Sequence, residues 1–449
     1  MHMLSLKTAK VWSPLFCTLA LAIGCVADDG ADDVADDTSG EEPEWAQVSS
    51  ELPRDTNPTI SDADKQALGD DQAALALDIY HALRQGDFEG KSFSVSPVSI
   101  QAAFGMLYGG TTGQARTELE ATLHFSIGDE AQHAALDWQD LELAQRNMEG
   151  DADPEYPLDP VVVKMANGVW VRNDMAEVVK PDFLDILATY YGSGLYLADF
   201  AAEPERERLD INLWVANRTN QLIPELFKKG MIVETTTAVL VNALYLKAPW
   251  ATPFEEHATS PAPFTLLDGS SKDVQMMHNY AVDGSYLAGE GFAAFGMPLR
   301  GNKLEMVFIV PDAFGDFEPT LDGPTLTGIL DNMEFTMATV SVPRFELEAD
   351  IVLSGVLRDE LGMPTPFTDS TSFLDIGDGF GVITEVVHNT VIKVDEKGTE
   401  AAAATGIVLG EDGGPEPQFE FKADKPFVVL IYDRPTRSPL FVGRVLDPG

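Results

Sequence analysis

Serine, histidine and cysteine are the side chains best suited to act as nucleophile or base at neutral pH, and none of them falls in a catalytic spacing here. A hydrolase nucleophile usually sits in Gly-x-Ser-x-Gly, where a strained turn exposes its hydroxyl. The nearest approach, Gly192-Ser193-Gly194, has the wrong spacing and reads as a turn. His2, His81, His124, His133, His257, His278 and His388 form no His-Glu-x-x-His pair or other familiar ligand spacing, so no metal site is expected. The only cysteines, Cys17 and Cys25, lie near the amino terminus, which argues against an internal disulfide, thiol catalysis or a thiolate metal centre. Gly109-Gly110 closes an apolar run and reads as a helix stop rather than a phosphate cradle. The carboxylates are too numerous to single out an acid–base pair. Nothing in the chain demands an enzyme or a cofactor.

The stretch most in need of explanation is Asp395-Glu396-Lys397-Gly398-Thr399-Glu400-Ala401-Ala402-Ala403-Ala404-Thr405, followed by Gly406-Ile407-Val408-Leu409-Gly410-Glu411-Asp412-Gly413-Gly414. In isolation the alanine run reads as a helix end or a low-complexity linker. Ala401 to Ala404 carry no long side chain, and Thr399 and Thr405 are β-tolerant and small.

The surrounding elements mix α and β. Asp64 to Gln85 reads as one or two amphipathic helices. Ser92 to Pro97 alternates like a short strand, and Val98 to Tyr108 reads as a buried helix ended by glycine. Thr111 or Thr112 is placed to cap the next helix, through Leu119 and Leu123. Residues 144–160 read as an acidic surface loop. Further helices are expected at Pro181 to Ala188 and at Ile211 to Phe227, the latter broken near Pro224. Strands are expected at Met165 to Val171, Ala238 to Leu246, Leu304 to Val310, Thr336 to Phe345, Gly381 to Val394 and Phe427 to Tyr432.

The ordered blocks from about residue 75 onward resemble the serpin family, and the 395–414 stretch resembles the proximal hinge and reactive-centre loop of its inhibitory members. Ser94-Val95-Ser96-Pro97-Val98-Ser99-Ile100 looks like the serpin shutter segment, with Ser96 and Ser99 under the opening of the central sheet. Val241-Asn242-Ala243-Leu244-Tyr245-Leu246-Lys247-Ala248-Pro249-Trp250 follows in the family's order; Asn242, Trp250 and His388 match its shutter and breach positions or lie close to them. Val342-Pro343-Arg344-Phe345 is similar to the family's Val-Pro-Lys-Phe. Lys425-Pro426-Phe427-Val428 and Ser438-Pro439-Leu440-Phe441-Val442-Gly443 look like its closing strands.

The resemblance implies an α+β serpin fold of three β-sheets and eight to nine helices, metastable, over residues 56–449, with the loop at about 396–417 exposed as bait. It also implies a monomeric inhibitor, not an enzyme, that forms a covalent complex with a serine or cysteine endopeptidase. The alternative is a non-inhibitory serpin acting as carrier, chaperone or storage protein. Counting from Glu396 by the family's hinge length puts the scissile bond at Asp412-Gly413, beside Glu411. The loop is about three residues longer than usual, so Leu409-Gly410 is a rival. The first site would suit a protease with a basic pocket, the second a subtilisin-, elastase- or chymotrypsin-like one.

The amino terminus predicts export. Lys7 and Lys10 precede an apolar stretch from Leu15 to Ile23, too short for a stable membrane span, and Ala22-Ile23-Gly24-Cys25 resembles a lipobox cut before Cys25. Residues 1–24 are the expected signal, Cys25 the lipidation site, and the outer membrane or cell surface the expected location. Of 449 residues, 45% are hydrophobic, enough for a large core, and the formal charge is −44. Without the signal's two lysines, 27 basic residues face 73 acidic ones. Such a surface repels nucleic acid and anionic headgroups, leaving the lipid anchor as the expected membrane contact. Residues 25–55 read as an acidic tether reaching roughly 100 Å at ~3.3 Å per residue.

Overall fold

The computed structural model describes residues 43–151, 159–399, 417 and 419–449. Seven helices of nine residues or more pack around two hydrogen-bonded sheets in this part of the chain: α1 (Asp62–Gln85), α2 (Pro97–Tyr108), α3 (Gly113–Thr122), α4 (Asp129–Ala144), α5 (Pro181–Tyr191), α6 (Pro204–Arg218) and α7 (Gly323–Asp331). Three one-turn α-helices, three short 3-10 helices and one short π-helix accompany them. Helix α1 is a single helix, started by a capping box in which Ser61 and Asp64 satisfy each other's backbone N–H. Its buried face is Leu68, Gln72, Leu75, Ala76, Ile79, Tyr80 and Leu83, a helical spacing that fixes which side meets the core. Helix α2 is buried on every side, with Ser96 capping it and Pro97 in its first turn. Thr112 stands at the start of α3 but makes no capping bond; its hydroxyl donates to the Thr371 carbonyl instead. Helix α6 begins at Pro204 and ends at Arg218, well before Pro224, so the helix expected over Ile211 to Phe227 is shifted toward the amino terminus.

The first sheet has the order β1 (Gln47–Val48), β4 (Leu195–Ala198), β3 (Val162–Arg172), β5 (Ala238–Pro249), β13 (Gly398–Thr399), β12 (Val387–Val394) and β11 (Phe345–Val352). The second runs β14 (Phe419–Lys422), β10 (Glu334–Pro343), β7 (Ser271–Gly289), β8 (Phe292–Pro298), β9 (Leu304–Pro311), β15 (Phe427–Asp433), β16 (Ser438–Val445) and β2 (Phe93–Val95), with β6 (Ser260–Thr265) also on β7. The fold class is that of a multi-sheet α+β protein. Two sheets stand where three were expected, because the 19-residue β7 runs without a break from the flank holding β10 and β6 into the one holding β8.

Residues 43–55, expected in the tether, are packed on the domain instead. Gln47 and Val48 add an edge strand to β4. Trp45 packs edge-on against Trp170 at 5.4 Å, and its indole N–H donates to Glu207. Arg54 pairs with Asp137 and Asp140 on α4. The strand expected from Gly381 begins only at Val387. Ile383 and Val386 pack against the core, and the Ile383 N–H donates to the Pro366 carbonyl, so these apolar residues anchor a loop rather than alternate in a strand.

Candidate functional site

Strand β12 ends at Val394, and the next four residues turn the chain back into the sheet it has just left. The Asp395 carboxylate accepts from the backbone N–H groups of Lys397, at 2.8 Å, and Gly398, at 3.3 Å. The Asp395 N–H in turn donates to the Gly398 carbonyl, closing the turn. Gly398 has φ +146°, and a Cβ there would lie 2.4 Å from the Ala248 carbonyl oxygen, so only glycine fits. Thr399 is buried, stands opposite Val394 on one side and Ala248 on the other, and its hydroxyl accepts from the Ala248 N–H at 2.9 Å. Both pairings are antiparallel. Among the described residues, β5 and β12 are joined through these two residues alone. Directly beside Thr399 lies a void of about 10 Å³, enough for about one water, whose lining includes Leu246, Val391 and Ile392.

The turn is fastened from three directions. Trp250, the breach candidate, is buried; its indole N–H donates to the Asp395 carbonyl and its backbone N–H to the Lys397 carbonyl, both at 2.8 Å. The Phe254 N–H donates to the Glu396 carbonyl. The Glu396 carboxylate is buried against Arg344, whose Nε lies 2.8 and 2.9 Å from its two oxygens, and it also accepts from the Thr259 hydroxyl. Burial alone would raise the Glu396 carboxyl, but the Arg344 and Thr259 hydrogen bonds outweigh it and hold it below the usual carboxylate range.

A second polar cluster lies under β12. His388 is buried, faces Ile351 across the β11 ladder, and its Nε2 accepts from the Ser96 N–H at 3.0 Å. Burial pushes its pKa down to about 4, so the ring is neutral and free to accept. The Ser96 side chain caps α2 by accepting from the Ser99 N–H. Beside them Thr390 donates to the Ser94 carbonyl, and the two hydroxyls lie 2.8 Å apart. These bonds tie the start of α2 and strand β2 to β12. The Asn242 backbone lies in β5, opposite Asn167 of β3.

The structure therefore brings together Glu396, Gly398, Thr399 and Trp250 where β13 joins β5 to β12, and Ser96, Ser99 and His388 beneath β12. Hinge residues Glu400, Ala401, Ala402, Ala403, Ala404 and Thr405 lie outside the described residues, as do the scissile-bond candidates Leu409, Gly410, Glu411, Asp412 and Gly413 and the lipidation candidate Cys25. Arg344, Thr259, Ser94 and Thr390 were not singled out as site residues. Arg344 left a trace as the basic residue of the Val-Pro-Arg-Phe block, and Ser94 as the first residue of the shutter segment. Among the described residues no group of three His, Cys, Asp or Glu side chains is placed to hold a metal, and no helix is long and apolar enough to cross a membrane.

A family model described as serpin (serine protease inhibitor) matches residues 70–448. Leukocyte elastase inhibitor of Homo sapiens is 32% identical over 389 residues, covering 83% of this chain and 97% of its own. An uncharacterized serpin-like protein of Methanosarcina mazei is 31% identical over 386 residues, covering 84% of this chain and 86% of its own. Among solved structures, a thermophilic serpin, tengpin, in the native state superposes with a TM-score of 0.75 at 26% identity, covering 90% of this chain and all of its own. Family match, relatives and superposition agree with the multi-sheet α+β fold, and the chain belongs to the serpin family.

Proposed function

We propose that this serpin inhibits serine endopeptidases as a suicide substrate: the protease cleaves the loop after Thr399, and the freed segment enters the slot between β5 and β12 while still acylating the enzyme. The observation that carries this reading is the position of Gly398 and Thr399, already paired antiparallel to both flanking strands. Continuing that register gives residues 399–406 partners along β12 and residues 399–409 partners along β5 as far as Ala238. Faces alternate along a strand, so Ala401, Ala403 and Thr405 would follow the buried Thr399 inward. Small side chains at all three positions suit burial between the sheet and the layer that covers it.

Strand addition of this kind is an established serpin device, and its energy scale is adequate. About 10 to 15 new backbone hydrogen bonds at a net ~0.5 to 1.5 kcal/mol each release on the order of 10 kcal/mol. Each ~1.4 kcal/mol is tenfold in rate, and one lost oxyanion donor already slows a protease ~100-fold or more. Distortion of the trapped enzyme can therefore stall deacylation, provided the uncut fold is held in a kinetic trap. Cleavage at Asp412-Gly413 would leave residues 410–412 as a linker beyond the last β5 position. Cleavage after Leu409 would leave none, which favours the acidic bond and a protease with a basic specificity pocket.

The test is incubation with subtilisin, elastase, chymotrypsin and a Glu-specific protease, followed by denaturing gel and intact mass. A denaturant-stable complex, with a released fragment starting at Gly413, is the expected product; a start at Asp412 or Gly410 would move the register. Nicking without a complex and without loss of protease activity would favour a non-inhibitory serpin. On sequence alone we also propose export and a lipid anchor at Cys25, tested by incorporation of labelled palmitate that Cys25→Ala abolishes.

A further inference from the structure

We propose that residues 43–55 form a proton-coupled strap: Arg54 docks on Asp137 and Asp140 of α4, the two carboxylates take up one proton between them, and the strap tightens as pH falls from about 7.5 to about 5. The device does not depend on the inhibitory reading above.

Ahead of α1 the chain is tied to four elements. Trp45 donates to Glu207 of α6, the Ala46 carbonyl accepts from the Leu197 N–H of β4, and Ser50 donates to Asp185 of α5. The Asp55 N–H donates to the Thr189 carbonyl of α5 at 2.8 Å. Arg54 closes the strap onto α4. Its Nε lies 2.8 Å from Asp137 Oδ1, and its Nη2 lies 2.6 Å from that oxygen and 2.5 Å from Asp140 Oδ2. Gly192 at the end of α5 makes room for it, because a Cβ there would stand 2.9 Å from Arg54 Cδ. Two carboxylates thus share one guanidinium. The Asp137 side chain is fully buried, and its other oxygen, Oδ2, has no hydrogen-bond partner. Such an oxygen is costly while the group is charged and much less so once the group is neutral.

The other groups around the pair supply no second cation. Asp55 approaches from the strap, Tyr190 and Tyr191 face Asp137 from α5, and His133, one turn earlier on α4, is kept neutral by burial with a pKa of about 4. Burial therefore pushes the Asp137 carboxyl up to about 6; Arg54 opposes that shift, while Asp140 and Asp55 add to it. A carboxyl raised in the docked state binds its proton more tightly there, so docking gains as pH falls through about 6. With an undocked value near the ordinary 3.8, the docking constant rises about tenfold between about pH 7.5 and pH 5. The sign is opposite to that of buried His388, whose lowered value makes acid unfavourable to the folded state.

The experiment is amide hydrogen exchange on the full chain at about pH 5, 6 and 7.5, where ordinary carboxylates stay mostly charged. Rates are corrected for intrinsic exchange and read by mass spectrometry on peptides covering residues 47–55, with β15 as the reference. Expected is protection of residues 47–55 about tenfold higher at the lowest pH than at the highest, with no such rise in β15. Asp137→Asn, neutral at every pH, should show the higher protection throughout and no pH dependence in this range. Asp140→Asn should move the midpoint of the rise below about 6, and it keeps the test decisive if Asp137→Asn does not fold. Wild-type protection that is flat or falls toward acid overturns the proposal, as does a rise that either variant leaves unchanged.

Discussion

At the residue scale, the Glu396–Arg344 pair is the charged anchor of the turn at residues 395–398. Arg344 is partly exposed while Glu396 is buried, so neutralising the carboxylate loses charge-assisted bonds on the side that cannot recruit water. Glu396→Gln is expected to lower stability by about 1 to 2 kcal/mol, read as a fall in the unfolding midpoint. The pH dependence follows from the same physics. Glu396 is held below the usual range, so its contribution is complete above the unfolded-state value near 4.5 and is lost as pH falls further. His388 adds to the acid side. Its folded pKa of about 4 lies below the ordinary 6.5, so the unfolded chain gains the proton first and stability declines from about pH 6.5 toward 4. His133 is lowered to about 4 as well, by burial and then by Arg116. Unfolding midpoints measured from pH 7 to 4 should fall along this window, and His388→Gln should flatten the slope.

At the scale of elements, the hinge was singled out through its resemblance to a family motif, since the alanine run taken alone reads as a helix end or a linker, and of that hinge the described residues include only Glu396, Gly398 and Thr399. Ser96 was singled out through the resemblance to the shutter segment alone, since Ser92 to Pro97 reads as a strand, and its role as the cap of α2 emerges only in the structure. Arg344 as the partner of Glu396 was not singled out, since 52 residues separate them and only the β10–β11 junction brings them together. Val382, Ile383 and Val386 misled in the opposite sense, because apolar content identifies burial but not the backbone geometry that achieves it. Within the hinge, Thr399→Arg should convert inhibitor into substrate. Its side chain would have to replace a buried threonine, and an unpaired cation cannot enter that slot cheaply. The gel should then show a cut loop and free, active protease in place of a stable complex.

At the scale of the whole molecule, the acidic bias hid the docking of residues 43–55, because a run of like charge reads as solvated chain while a single tryptophan can still fasten it. Trp45 packs against Trp170 and Tyr196 at the first sheet's outer edge. Trp45→Ala should cost about 2 kcal/mol, the scale of one large apolar side chain returned to water, and should raise protease sensitivity between residues 43 and 55. The edge strand and β13 belong to one sheet, and the proposed function requires its strands to part at β13 for the arrival of a new one. That arrival is the central claim. The most direct measurement is amide hydrogen exchange, by mass spectrometry, on the protein before and after a single cut in the loop. Insertion predicts that residues 400–406 change from fast exchange to protection comparable to β5 and β12, over the length set by the Thr399 register. Fast exchange across 400–406 after cleavage, with β5 and β12 unchanged, would contradict it.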